Sequence, residues 1–430
     1  MKKRVLAAVL CTAMAAGMMA GCGGSKGESG DAAAEGSVYW LNFKPEADEA
    51  LQELAATYTE ETGVDVKVVT AASGTYESTL TAEMDKSNAP TLFVIGNQAA
   101  VKTWGDYALD LKDTDIYNEL TTDAFTLYNG DKVASIGYCY ESYGIIVNKT
   151  LLDKAGYSVE DITNFDSLKK VADDIHARSA ELGFDAFTSS GMDDSSSWRF
   201  SGHLANMPLF YEGRDEGWTE CPATLAGTYL DNFKAVWDLY TTDTATDKTA
   251  LATGGFDAEG EFKQGKAVFF QNGSWEYGAL SEVYSNDEMC MIPIYCGVEG
   301  EEEAGLCSGT ENCWAVNAKA SEADQKATLD FMKWVVTSEA GTKCMADQMG
   351  SIPYKGAAKV DNIFLQNAND MLTAGKYNVD WTFSYTPNVN DWRATLVAAM
   401  NKYDNGGSWD DVVTAFVKVL ENQYIAANAN

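Results

Sequence analysis

The sequence predicts an α/β protein built as two lobes, the first around a parallel, doubly wound sheet. Three observations carry this. Apolar β-rich runs alternate with helical repeats over residues 37–96, mainly helical patterns take over from residue 165, and strand and helix alternate again at 290–337. In the first stretch SVYWLNF at 37–43 reads as a strand, and Leu51, Leu54, Ala55 and Tyr58 then recur at helical spacing until Gly63 stops the helix. DVKVVTA at 65–71 is a second strand, 75–86 suits a helix, and TLFVIG at 91–96 is a third strand. That order of elements implies parallel pairing with right-handed crossovers.

Parallel sheets of this kind bind ligands beyond the carboxyl ends of their strands. The residues leaving each strand are therefore the first site candidates: Asn42, Phe43, Lys44, Pro45 and Glu46 after the first, Ser73, Gly74, Thr75 and Tyr76 after the second, Asn97 and Gln98 after the third. Each has a plainer reading. Pro45 suits the first turn of a helix, and Lys44 with Glu46 reads equally as a solvated pair.

Beyond residue 165, Leu168, Val171, Ala172 and Ile175 mark a helix, and the Ser- and Asp-rich loop SSGMDDSSSW at 189–198 interrupts the pattern. Trp198 and Arg199 at its end either face a ligand or anchor the loop. Further on, MCMIPIYC and CWAVN read as strands, while Ser321 with Asp324 and Ser408 with Asp411 open helices in the manner of capping pairs. Trp314 and Trp334 fall in strand and helix patterns and read as core.

The chain begins with Lys2, Lys3 and Arg4, runs apolar from Val5 to Ala20, and reaches Gly21 and Cys22, the order of a lipoprotein signal over residues 1–21 with lipidation at Cys22. The apolar run is shorter than the ~20 residues that span a bilayer. Residues 22–36, rich in Gly, Ser and Ala, read as a flexible tether reaching roughly 20 Å. Removal of the signal takes the net charge from −33 to −36. So acidic a body repels phosphate backbones, which argues against nucleic-acid binding and for neutral or cationic partners.

Apart from Cys11 and Cys22 the cysteines are Cys139, Cys221, Cys290, Cys296, Cys307, Cys313 and Cys344. Cys290 with Cys296 and Cys307 with Cys313 are candidate short-range bridges, with connectivity left open. Without CxxC pairs no metal is expected, and no cofactor. GEFKQGKA at 260–267 fits a phosphate loop only until Ala267 replaces the needed hydroxyl, and GxSxG at Gly23, Ser25 and Gly27 lies in the tether. His176 and His203, the only histidines, read as surface residues, so a histidine triad or metal cage has little to draw on. No catalytic residue is assigned.

Five segments, in this order, carry a resemblance: NAPTLFVIG at 88–96, YGIIVNKTLLDKAG at 143–156, FKQGKAVFFQNGSWE at 262–276, CWAVNAKASEADQKATLDFMKWVVTSEAG at 313–341 and MGSIP at 349–353. Together they resemble the sugar-type extracellular solute-binding proteins of bacterial ABC importers, the group that includes maltodextrin-binding proteins. The resemblance implies a periplasmic-binding-protein-like fold with two α/β lobes and a hinge of crossing strands near Asn148, 286 and 338. The lobes would then comprise 37–148 with 287–337, and 149–286 with 338–430. It implies an oligosaccharide ligand enclosed as the lobes close, delivery to permease subunits, a monomer outside the cytoplasm held by its lipid anchor, and no enzymatic activity.

For the site, the resemblance implies a sugar stacked on Trp275 with Glu276 beside it as a hydroxyl acceptor. Glu141 and Tyr143 near the first crossing and Trp381 in KYNVDWTFSY join the candidates. A cell-surface glycosidase would share an aromatic cleft but need two carboxylates flanking the scissile bond. A peptide or polyamine receptor of the same fold is the other alternative, since an acidic cleft suits cations.

Overall fold

The structure, a computed structural model, describes residues 36–72, 74–193, 195–350 and 352–429. The expected signal, Cys22, the tether up to Glu35 and Ser73 lie outside the described residues.

One sheet holds β1 (Val38–Asn42), β2 (Val66–Thr70), β3 (Leu92–Val94), β4 (Thr126–Asn129), β5 (Lys132–Gly137) and β11 (Cys313–Val316), in the order β2-β1-β3-β11-β5-β4. β1 runs parallel to both β2 and β3, as the sequence predicts. β11 inserts antiparallel between β3 and β5. Every residue of β1 is buried, which is why it reads as a continuous apolar run. Helix Asp48–Thr62 buries Leu51, Leu54, Ala55 and Tyr58 against this sheet and ends at Gly63, whose φ of 78° closes the last turn.

The second sheet holds β6 (Glu141–Asn148), β7 (Asp185–Phe187), β8 (Ala267–Gly273), β9 (Met289–Ile292), β10 (Ala304–Gly309) and β12 (Tyr377–Val379). Its order is β12-β10-β6-β8-β7, with β9 also on β6. It is mixed: β6 is antiparallel to β8, β9 and β10, while β7 with β8 and β10 with β12 are parallel. Each sheet has its own core, one around Trp40, Phe93, Trp314 and Phe331, the other around Leu168, Phe200, Trp237 and Trp392.

The chain therefore passes between lobes at 138–140, where β5 gives way to β6, at 310–312, between β10 and β11, and again between Tyr354 of the first core and helix Ile363–Thr373 on the second sheet. These differ from the crossings expected at Asn148, 286 and 338. Asn148 instead caps helix Lys149–Ala155 by accepting from the Leu151 N–H, and Ser338 caps helix Glu339–Gln348. Each is helix punctuation within a single lobe, Asn148 in the second and Ser338 in the first. In consequence 287–309 belongs to the second lobe, and 338–350 with 352–354, including Met345 and Met349 in the first core, to the first.

The seven cysteines beyond the signal region are all free thiols. Neither candidate bridge forms: Cys307 lies on β10 against Met207, and Cys313 lies on the other side of the crossing, in the first sheet.

Candidate functional site

A cleft of about 280 Å³ opens between the lobes at the carboxyl ends of β1 and β3, a size near the lower end for small-ligand sites. Helix Gln98–Trp104 of the first lobe touches the turn Thr382–Tyr385 of the second across it.

The first-lobe wall begins with Asn42, buried at the end of β1. Its side chain accepts from the Lys44 N–H (3.0 Å) and donates to the Lys44 carbonyl (2.7 Å) and to Thr70 Oγ1 (3.0 Å). That local turn aims Phe43, Lys44 and Glu46 into the cleft while Asn42 stays behind them. Lys44 is only 3% exposed, so the solvated-pair reading does not hold. Its ammonium pairs with Glu46 at 2.9 Å and with Glu141. Burial alone would lower the Lys44 pKa, but the two carboxylates outweigh it and hold the ammonium charged. Asn312 donates to the other Glu141 oxygen (2.8 Å), and Tyr138 donates to Asn312 (3.2 Å). One network thus ties the first strand end to both central crossings.

Asn97 lines the cleft and caps helix Gln98–Trp104, accepting from the Ala100 N–H at 2.9 Å. Gln98 turns away and bonds the Tyr128 backbone through both ends of its amide (2.6 and 3.1 Å). Thr75 is exposed, its hydroxyl donating to the Ala72 carbonyl, and does not line the cleft; its neighbours Gly74 and Tyr76 do.

The second-lobe wall is aromatic. Trp198, His203, Trp275, Trp381 and Phe383 line it together. Ring centroids of Trp198 and Trp275 lie 5.7 Å apart, and those of Trp381 and Phe383 5.8 Å apart at 25°. His203 is at the centre, 4.9 Å from Trp198, 5.4 Å from Trp275 and 6.1 Å from Trp381. This overturns its expected place on the surface. It sits in a π-helical turn, Arg199–Leu204, a geometry that 3.6-residue spacing does not announce. Burial, helped by Arg393 and Arg199, keeps the imidazole neutral by holding its pKa well below 6.5. His176, by contrast, lies half-exposed beside Asp185 at 2.8 Å.

Tyr143 does not reach the cleft. Fully buried, it stacks under His203 at 4.0 Å and 4° and supports the wall from behind. Arg199 is buried too, donating to the carbonyls of Ser189 (3.1 Å) and Gln271 (3.3 Å). It anchors the Ser- and Asp-rich loop, while Trp198 faces the cleft. Glu276 stands outside the lining, accepts from Asn272 (2.7 Å), and is pushed up to about 7 chiefly by burial. Asn272 in turn accepts from the Trp275 indole N–H at 2.9 Å and fixes that ring.

Two glycines seat the indoles. A Cβ on Gly273, at the end of β8, would lie 2.2 Å from the Trp275 ring, and one on Gly309, at the end of β10, 2.9 Å from the Trp381 ring. Each indole lies directly over a bare Cα.

Sequence reasoning missed Glu311, Asn312, His203, Phe383 and Arg393. Glu311 and Asn312 had a signal. They precede β11, and the start of an antiparallel strand lies beside the carboxyl ends of its parallel neighbours, the edge already identified for β1 and β3. Glu311 is pushed up to about 7, mainly by burial, with Arg393 acting against the shift. Arg393, on helix Val389–Asp404, had no signal in its local sequence.

Among the described residues no cluster of His, Cys, Asp or Glu is arranged to hold a metal, and no helix is long and apolar enough to cross a membrane. No curated protein matches the chain. Solved structures do. The solute-binding protein RafE in complex with raffinose has a TM-score of 0.70 at 17% identity, covering 91% of this chain and 100% of that one; an unliganded structure gives the source of RafE as Streptococcus pneumoniae. A chitin oligosaccharide binding protein has a TM-score of 0.68 at 18% identity, covering 90% and 99%. The maltose/maltodextrin-binding domain MalE from Bdellovibrio bacteriovorus, bound to maltotriose, has 0.65 at 16%, covering 91% and 99%. These similarities establish the two-lobed fold. The family model described as bacterial extracellular solute-binding protein matches residues 53–367, most of the chain. On that match and this architecture, the chain belongs to the bacterial extracellular solute-binding proteins.

Proposed function

We propose that the chain captures a carbohydrate, an oligosaccharide of a few rings, and presents it to the permease of an ABC importer. The observation that carries this is one cleft in which three indoles and Phe383 of the second lobe meet hydrogen-bonding Asn97 of the first lobe and Glu141 and Asn312 at the crossings. Pyranose rings offer apolar CH faces and polar hydroxyl edges, and such a cleft meets both. The sugars in the similar structures, raffinose, chitin oligosaccharide and maltotriose, support the reading. The Lys44–Glu141–Asn312 network at the crossings suits a hinge that closes on ligand. A lipid on Cys22 and the tether that follows would hold this monomer at the outward face of the cell membrane beside the permease.

The chain binds and does not cleave in this account. A thermal-shift screen across neutral oligosaccharides tests it: at a hundredfold excess over Kd, a ligand stabilises the folded state by about 2.7 kcal/mol and the melting point rises. The sugar that shifts it should be recovered unshortened by chromatography after long incubation. Released shorter sugars would establish a glycosidase instead, and no shift with any sugar would refute carbohydrate binding.

A further inference from the structure

Most charged groups of the cleft already have partners. Lys44 is shared by Glu46 and Glu141, Glu141 also accepts from Asn312, and Glu77 accepts from the Trp104 indole N–H at 3.0 Å. Two groups differ. Glu311, on the second crossing, is partly buried and accepts no hydrogen bond from any described residue. Among the described residues Arg393 makes a single side-chain bond, from Nε to Ser201 Oγ at 3.3 Å, which engages one of its five donors. The guanidinium lies beside Gly202, where a Cβ would sit 3.5 Å from Arg393 Nε, an ordinary contact. Glu311 and Arg393 line the same cleft and feel each other's charge, yet no ion pair joins them.

We propose that Glu311 and Arg393 form a hydroxyl clamp that makes this cleft selective for neutral sugars over amino sugars and sugar acids. The proposal rests on the carbohydrate reading above and narrows it. A group lying between a carboxylate and a guanidinium must donate to the first and accept from the second, and a sugar hydroxyl does both. An ammonium can only donate and meets the Arg393 charge; a carboxylate can only accept and meets Glu311, which repels it in its ionised form. Either charged ligand leaves one member of the pair buried without a partner, the costly outcome in a desolvated site. Discrimination thus comes from the pair, since either residue alone would favour one class of charged sugar.

The test is calorimetry with wild type, Glu311→Gln and Arg393→Met against raffinose, maltotriose, chitin trisaccharide, the trimer of glucosamine and the trimer of galacturonate. Wild type should bind at least one neutral sugar ten times or more tighter than either charged trimer. Arg393→Met should relax the exclusion of the glucosamine trimer about tenfold, Glu311→Gln that of the galacturonate trimer, and each should weaken the neutral ligand about tenfold. If a neutral sugar binds but both variants keep the wild-type ranking, the clamp is refuted and carbohydrate capture stands. Preference of wild type for a charged trimer also refutes the clamp. If wild type binds none of the five, the clamp and the carbohydrate reading fall together.

Discussion

Replacing Trp275 by alanine should weaken binding of the cognate sugar on the order of a hundredfold while the protein remains folded. The indole is half-buried and lies over Gly273 with its N–H held by Asn272, so it presents a rigid apolar face that loses little freedom when a pyranose covers it. Truncation removes that face but leaves the second-lobe core, centred on Trp237, Trp392 and Phe269, in place. Gly273→Ala should reproduce part of the loss. The Gly273 backbone, with φ of −124°, suits any residue, so the effect of the added methyl comes first from its collision with the ring. Calorimetry of both variants checks this. Full affinity in Trp275→Ala, or a Gly273→Ala protein that binds normally, would make Trp275 a packing residue.

Lys44→Ala should destabilise the protein by about 3–5 kcal/mol, the cost of leaving a buried carboxylate without its cation. The Lys44 side chain is 4% exposed and that of Glu141 8%, so the pair is largely desolvated and water entering from the cleft replaces the lost ammonium poorly. Asn312 would still donate one hydrogen bond to Glu141, which does not compensate a full charge. The urea midpoint should fall, and adding Glu141→Gln should recover much of the loss, because the neutral amide carries a smaller burial penalty. An unchanged midpoint, or no recovery in the double variant, would show that the pair contributes no more than a surface bridge.

Legibility of the fold and site followed the local physics. The β1, β2, β3 order and its helices could be read because alternating buried strands and amphipathic helices each leave a periodic pattern, and the strand-end rule then reached Phe43, Lys44, Glu46 and Asn97. Trp275 came through the NGSWE resemblance. The crossings could not be placed because a strand that changes sheets looks like any other strand: β6 was assigned to the first lobe although it is the hub of the second sheet. Residues one step along the same loops diverged for reasons of register. Asn97 faces the cleft while Gln98 completes the pairing of Tyr128; Trp198 faces it while Arg199 turns inward to backbone carbonyls. His203 was hidden by the π-helical turn, and Arg393 by its distance along the chain from every strand end.

All of this converges on one spatial claim, that a carbohydrate is held between the indole wall and the Lys44–Glu141–Asn312 network. Diffraction from crystals grown with the sugar that most raises the melting point tests it most directly. The account predicts electron density for pyranose rings lying on Trp275 and its neighbouring indoles, with hydroxyls within hydrogen-bond distance of Glu311 and Arg393. Well-defined sugar density anywhere else on the protein, with this cleft filled only by water, would contradict it.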